Sequence, residues 1–461
     1  MLSFGIAGEL GSTVPFVVSN GNDDGAGSLR AALKAAAEPG APGHIFVTTD
    51  DDIIVTTTLT YDGTAPLAIY GSGQSVTTEV NTTLLSMSNG ADLSVSGLNF
   101  RGPGEFSVVN RGDETGEPGK GIFVKLRDDQ TGTLSLTLED VSLSGAAYHG
   151  IHVSDCDLGD ACGAGATGEG NGSPASVSVH LSNVTIWDVG NGKFDADGIR
   201  VDERGDGDIR FVSRNSTFEG VGADGVELDE GQAGDVIATV ISNTFADNGG
   251  YCAPDVLEPF LPEDDEGEFE DGEVSPSDIP GAITGTPDDA CFERDVELYD
   301  SGFVKEYEIE IDLDDGIDID EAGSGDLRVL MIASTIRGNL DEGFDVGEQD
   351  AGGLDVWAWR TTAQNNTDDG FRGDEEGPGS VSVLLYDVQS EENGGYGARF
   401  SQEDQGDISV VADNTTTSGN GDGDKMGLRV QQAGSGTGTL TTHNATFSDG
   451  IDARNVELIQ Q

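Results

Sequence analysis

Positive charge is what this chain has least of. Against 86 Asp and Glu stand 22 Lys and Arg, a formal net charge of −64 over 461 residues. Nucleic acid and anionic membrane surfaces both demand basic patches, so neither is expected as a partner. No apolar run is long enough for a membrane-spanning helix, and no membrane insertion is expected. The opening MLSFGIAGELGSTVP has neither a basic segment nor a long apolar one, so no secretory signal is visible in this chain. Aromatics are only 6%, which leaves a core of aliphatic stacks. The four cysteines show no Cys-x-x-Cys or Cys/His spacing, which excludes the usual zinc sites. Helical periodicity is absent outside one short stretch.

What the chain has instead is repetition. Residues 314 to 420 write one sentence four times, from DDGIDIDEAGSGDLRVLMIASTIRGN to GGYGARFSQEDQGDISVVADNTTTSGN. Aligned on one glycine, Gly316, Gly343, Gly370 and Gly397 follow one another at 27 residues. Gly198 and Gly225 are again 27 apart, Gly121 and Gly150 take the same slot upstream, and Gly427 follows Gly397 by 30. Each unit runs acidic turn, glycine, alternating strand, acidic Gly-rich turn, second strand, Asn/Thr-rich turn. Such a period without helical spacing predicts stacked coils of a parallel β-helix, all-β and one domain despite its length.

The one helical stretch lies in FVVSNGNDDGAGSLRAALKAAAEPG. Ser28 reads as its N-cap, Leu29, Ala32 and Leu33 as its apolar stripe, and Pro39-Gly40 as its end. A helix there covers the open end of the first coil. The expected organisation is an N-terminal strand and capping helix over 1–43, then a β-helix over 44–461. Two excursions interrupt the array, at 155–175 and 253–312.

The segment VVSNGNDDGAGSLRAAL resembles the N-terminal cap of secreted bacterial right-handed parallel β-helix proteins of the pectate-lyase-like superfamily. The resemblance implies a right-handed coil. It leaves function open, because that fold hosts lyases, glycosidases, epimerases, esterases, adhesins and viral spikes.

All four cysteines lie in the excursions or, for Cys252, at the edge of one. Proximity suggests Cys156–Cys162 and Cys252–Cys291 bridges among three possible connectivities, and disulfides imply an extracellular or cell-surface setting. Strand alternation after the column glycine turns Ile199, Val201, Val226, Leu228, Ile317 and Ile319 inward. The residue between each pair points out, in a column of Phe123, His152, Arg200, Glu227, Asp318, Asp345, Arg372, Arg399 and Arg429.

Arg372, Arg399 and Arg429 then form a like-charge ladder at coil spacing. Either surface ion pairs or an anionic ligand relieves it. Acidic residues flank the column: Asp314, Asp315, Asp341, Glu342, Asp368 and Asp369 before the glycines, and Asp202, Glu203, Asp229, Glu230, Asp320, Glu321, Glu348, Asp374 and Glu375 across the strand. Stacked carboxylates raise one another's pKa or share a cation, and calcium suits them as a hard, oxygen-seeking ion. A merely solvated acidic face is the alternative. The run GNGDGDKMG around Asp422 and Asp424 is another Asp/Gly-rich candidate.

Two functional readings follow. Fidelity of the repeat favours an extracellular structural, adhesive or polymer-binding protein, stabilised by calcium or high salt, with polysaccharide, cell-surface or matrix components or its own copies as partners. The other is a carbohydrate-active enzyme, a lyase or glycoside hydrolase, on an acidic polysaccharide. The turns DADG, GADG and DDG resemble those of polygalacturonase-like enzymes, which implies Asp197, Asp224 and Asp315 as acid/base candidates. That family's Gly-His-Gly and Arg-Ile-Lys motifs are absent. For a lyase, His152 and Arg200 are the candidates, with His149 nearby. A deep groove walled by loops favours the enzyme; regular, evenly exposed faces favour the structural role.

Overall fold

Each stretch after a column glycine buries its alternate residues, and each repeat adds two further strands before the next glycine. In one coil these are Ile317–Gly323, Leu327–Ile332 and Thr335–Arg337; in the next they are Phe344–Asp350, Gly353–Trp359 and Thr362–Gln364. Every strand pairs in parallel with its counterpart one repeat on, Ile317 with Phe344, Leu327 with Leu354, Thr335 with Thr362. The computed structural model describes residues 14–112, 118–156, 172–263, 265–281, 283–421, 423 and 426–461. Among them the first strands make a 12-stranded parallel sheet, and the second and third strands a 22-stranded one. The fold is a right-handed parallel β-helix. Asp422 and Asp424 lie outside the described residues.

The glycine column has a steric cause. A Cβ on Gly198, Gly225 or Gly316 would lie 2.4 Å from the carbonyl oxygen of the next glycine in the column. At Gly343, Gly370 and Gly397 the distance is 2.6–2.7 Å. Both excursions leave the stack unbroken: Ile151 pairs with Ile199, and Leu228 with Ile319.

At the opposite corner a buried asparagine recurs. Asn248 Nδ2 donates to Asn339 Oδ1 at 3.0 Å, and Asn339 to Asn366, Asn366 to Asn393 and Asn393 to Asn420 at 2.9 Å each. The same oxygens accept backbone N–H groups, as Asn366 Oδ1 does from Asn339 N at 3.2 Å. The ladder ends on Asp449. An amide both donates and accepts, so it repeats at coil spacing without an unpaired group.

A second ladder corrects the acidic stripe expected on the surface. Glu203, Glu230, Glu321, Glu348 and Glu375 stack in register and are fully buried, as are the Gln402 and Gln432 that continue them. Glutamate oxygens accept turn N–H groups, such as Gly234 on Glu230 at 3.1 Å and Gly325 on Glu321 at 3.0 Å. Burial is the first cause pushing their carboxyls up, Glu203 to about 10, Glu230 to about 8, Glu348 to about 11 and Glu375 to about 7.

The helix forms at Leu29–Ala36, with Ser28 Oγ accepting from Ala31 N at 3.2 Å. Leu29, Ala32, Leu33 and Ala36 are buried, and the helix packs on strands Phe16–Val18, His44–Val47 and Leu59–Tyr61. The second excursion is more than a loop. It holds a short helix, Pro254–Leu257, and an antiparallel sheet of Glu266–Glu268, Phe292–Leu298 and Val304–Ile311. Ile279, Val304, Tyr307 and Ile309 give it a small core of its own. Cys252 and Cys291 are bonded, as expected. Cys162 lies outside the described residues, so its pairing with Cys156 is not described.

Truncating the asparagine ladder tests its share of stability. Asn366→Ala strands the buried Nδ2 and backbone N–H of Asn339, while Asn393 Oδ1 keeps the backbone N–H of residue 366; a loss of roughly 2–6 kcal/mol is expected at 1–3 kcal/mol per unsatisfied group, read by denaturant titration. The glutamate ladder makes stability pH-dependent. Its raised carboxyls favour the protonated form, so their contribution is full below the ordinary value of about 4.3 and is lost as pH rises through the shifted values. Glu348→Gln removes one titration. We expect it to match the parent at pH 5 and to exceed it at pH 9 by roughly 1–3 kcal/mol; an unchanged pH slope would show that a cation, not a proton, neutralises the column.

Candidate functional site

The outward column of the 12-stranded sheet is built as its alternation predicts. His152 lies between Phe123 and Arg200, Arg200 beside Glu227, Glu227 beside Asp318, and Arg372 beside Arg399 and Arg429. Its surroundings differ sharply along its length.

At one end the column is walled in. Gly112 N donates to Gly192 O at 2.7 Å and Gly192 N to Ala147 O at 2.9 Å, which ties three loops together. Val108, Tyr251, Cys252, Leu257 and Cys291 form a buried apolar cluster against Phe194, so the second excursion joins that wall. Arg111 clamps it through Asp288, which also accepts from Tyr251 Oη at 2.7 Å.

Behind the wall sit His149, His152 and Arg200, with relative exposures of 1%, 2% and 4%. His152 Nε2 and Asp202 Oδ2 are 2.6 Å apart. Burial comes first for Asp202 and would raise its carboxyl, but Arg200 and His152 outweigh it and hold Asp202 well below the usual range, ionised. His152 is pulled down to about 4 by burial, so its ring is neutral with the Nε2 proton directed at Asp202. Its Nδ1, an acceptor in that tautomer, has no hydrogen-bond partner among the described residues. His149 Nδ1 accepts from Asp197 N at 3.0 Å, and burial keeps this ring neutral too. Tyr148, half-buried, stacks on His149 at 4.0 Å between centroids and carries Lys193 Nζ over its ring, 3.9 Å from the centroid. Burial, then Asp195, push its phenol up.

Arg200 is unavailable to a ligand, which corrects its expected role. It bonds Asp195 at 3.0 Å, Asp202 at 2.9 Å, Asp229 at 2.8 Å and also Glu227. The carboxylates of Asp197 and Asp224 are likewise committed in part, whereas Asp315 Oδ1 is buried without a hydrogen-bond partner among the described residues. Asp197 Oδ1 accepts from Asp224 N at 3.1 Å, and Asp224 Oδ1 from Asp315 N. The acidic turn recurs because its carboxylate caps the next coil. Burial pushes Asp197 to about 7.

Beyond Arg200 the column turns acidic. Carboxylate oxygens of Asp224, Glu227 and Asp318 lie within 4.8 Å of one another, as do those of Asp315, Asp318 and Asp345 and those of Asp315, Asp341 and Glu342. Asp195, Asp197 and Glu227 make a fourth such group. Of the six residues expected to hold calcium, the structure brings Asp315, Asp341 and Glu342 together. Asp369 instead accepts from Tyr396 N, Asp368 is exposed, and Asp314 falls in no group. The groups are completed by Asp224, expected as an acid/base candidate and not as a calcium ligand, and by Asp318 and Asp345 of the outward column. Burial and adjacent acids push Asp341 to about 9 and Asp345, despite Arg372, to about 7. Only hard oxygen donors are present, which fits a calcium-like ion.

Past Asp345 comes the arginine ladder. Arg372 pairs with Glu342 at 2.9 Å, Asp374 at 2.8 Å and Asp345 at 3.3 Å. Among the described residues Arg399 reaches only Asp374, at 4.0 Å, and Arg429 bonds Gln431 at 2.6 Å beside the Tyr396 ring. Ion pairing therefore thins along the ladder.

No family model and no curated protein sequence matches the chain. Several solved structures are similar in fold. A mutant of the periplasmic alginate epimerase AlgG aligns over 82% of this chain and 77% of its own, at 9% identity and a TM-score of 0.37. The catalytic domain of a GH87 alpha-1,3-glucanase mutant, in complex with tetrasaccharides, aligns over 96% and 68%, at 12% and 0.42. The A-module of the Azotobacter vinelandii mannuronan C-5 epimerase AlgE6 aligns over 97% and 99%, at 9% and 0.35. Likeness this distant carries no inference about what the chain binds or does.

Arg200 is the keystone of the walled end. Arg200→Met leaves Glu227 buried without its cation and Asp202 and Asp229 with Arg204 alone, and a loss of roughly 3–5 kcal/mol is expected in denaturant titrations. Coupling to Glu227→Gln in a double-mutant cycle should restore part of that loss.

Proposed function

We propose that the chain is a carbohydrate-active β-helix enzyme acting on an acidic polysaccharide by β-elimination. The observation that carries this reading is His152: a neutral imidazole held by Asp202, with its Nδ1 lone pair unpartnered, where loops from several coils interrupt an otherwise regular face. A base fixed by a carboxylate is the arrangement proton abstraction needs. In this reading His152 takes the C5 proton of a uronate, the C5 electrons form the C4–C5 double bond, and the glycosidic oxygen leaves with a proton from Tyr148. Lys193, beside the Tyr148 ring, balances the uronate carboxylate. Arg200 acts as a positioning residue, keeping Asp202 ionised. The carboxylate groups around Asp318 would hold divalent cations that bridge to further uronates, and Arg399 and Arg429 would pair with others.

A second reading, cation-dependent polymer binding without catalysis, is favoured by one fact. His152 and Arg200 are almost wholly covered, so substrate must open the wall to reach them.

The test is product release from uronate-containing and sulfated polysaccharides, with calcium and with chelator, reading reducing ends and unsaturated products. Tyr148→Phe removes one hydroxyl at the mouth of the site, and a loss of about 100-fold or more is expected. Reducing ends without unsaturation would move the chemistry to hydrolysis. Calcium-dependent retention on the polymer with no product would select the second reading.

A further inference from the structure

Tryptophan is the side chain a parallel coil least expects on its outside, and all three in this chain are there. Trp187 and Trp359 are each 47% exposed and Trp357 is 52% exposed. Trp357 and Trp359 project from one strand of the 22-stranded sheet, two residues apart and so about 7 Å along it. On the next coil Leu384 and Tyr386 pair with them, both exposed, and on the preceding coil Leu330 and Ile332 do. The Tyr386 ring meets Trp359 edge-on, at 5.4 Å between centroids.

Large apolar surface left in water marks a binding site. We propose that Trp357, Trp359 and Tyr386 form a platform for a neutral polysaccharide, whose pyranose C–H faces stack on the rings. Charge decides the occupant. The patch is rimmed by Asp355, by Asp326 with Arg328, by Asp387 with Arg360 and by Asp413 with His443. A second copy would bring the same rim and a net charge of −64 against it, and an anionic polymer meets the same repulsion. An uncharged polyhydroxylated chain meets none. It would find rings for its C–H faces and, in the neighbouring strand positions, the exposed hydroxyls of Ser382 and Ser409 for its own. Rings one coil apart and two residues apart present a flat array, which suits successive sugars of one chain. This platform lies on the 22-stranded sheet and the His152 column on the 12-stranded one, so it does not depend on that site's chemistry.

The experiment is native affinity electrophoresis of the full chain through gels carrying hydroxyethylcellulose, a soluble β-1,3-glucan, galactomannan or soluble starch, with tryptophan fluorescence read in parallel. Retardation by at least one polymer is expected, weakened about tenfold or more in affinity by Trp357→Ala/Trp359→Ala. Trp187→Ala, which removes the exposed ring outside the platform, should leave retardation unchanged. These are surface positions, and circular dichroism checks that each variant folds. Equal retardation of the double variant, or no retardation by any of the four polymers, overturns the proposal. So does sedimentation as a dimer that the double variant abolishes, since the occupant is then a second copy.

Discussion

Stacking at coil spacing decides which polar groups this molecule can bury. Whatever a turn places inside one coil meets its copy about 4.8 Å away in the next. A group that donates and accepts repeats at no cost, and the asparagines from Asn248 to Asn420 do so. A carboxylate only accepts, so a carboxylate column needs another source of donors. The chain uses three. Asp197 and Asp224 take backbone N–H groups from the following coil, Asp202 and Glu227 take Arg200, and the glutamates from Glu203 to Glu375 take turn N–H groups and are pushed toward their neutral form. The charge written in the sequence is therefore larger than the charge the folded interior carries.

The coil itself was legible in sequence, for a reason the structure makes concrete. A column glycine sits where any side chain would strike the next glycine's carbonyl, so its identity is forced and its 27-residue spacing survives while the strands around it vary. From that column, period two placed the outward residues from Phe123 to Arg429. The same rule places Glu203 inward, two residues after buried Val201. Reading the glutamates as surface followed their polarity and not their phase. The pattern was right where hydrophobicity and alternation agreed, and misread where a ladder overrode hydrophobicity.

The second excursion shows another limit. FERDVEL and VKEYEIEI alternate like strands around the turn YDSG, and they pair antiparallel. Their acidity hid the alternation, because strands of a small sheet covered on one face carry glutamate on the open one. The walled end of the site was less legible still. It depends on Gly192 bridging Gly112 and Ala147, and on Tyr251 and Cys291 closing over Val108. Those contacts join segments far apart in the chain at glycines with no motif around them. Only Tyr148-His149 and His152, an unusual cluster in a chain with five histidines, signalled the place.

The column's charge order then bears on function. From His152 to Arg429 one row of side chains runs from a neutral base through an arginine saturated by acids, through three carboxylates with an arginine only at either end, to arginines whose ion pairing among the described residues decreases coil by coil. A face meant only to stay soluble has no need to segregate its charges in this way. A polyanion laid along it would meet carboxylates first, where a divalent ion must intervene, and guanidinium groups next, where none is needed. Binding at the two stretches should thus differ in kind: the first requires calcium and is lost to chelator, while the second persists in chelator and weakens with ionic strength. On the proposed reading a single extended ligand would meet both the acidic turns and the arginine ladder, because no small anion spans both.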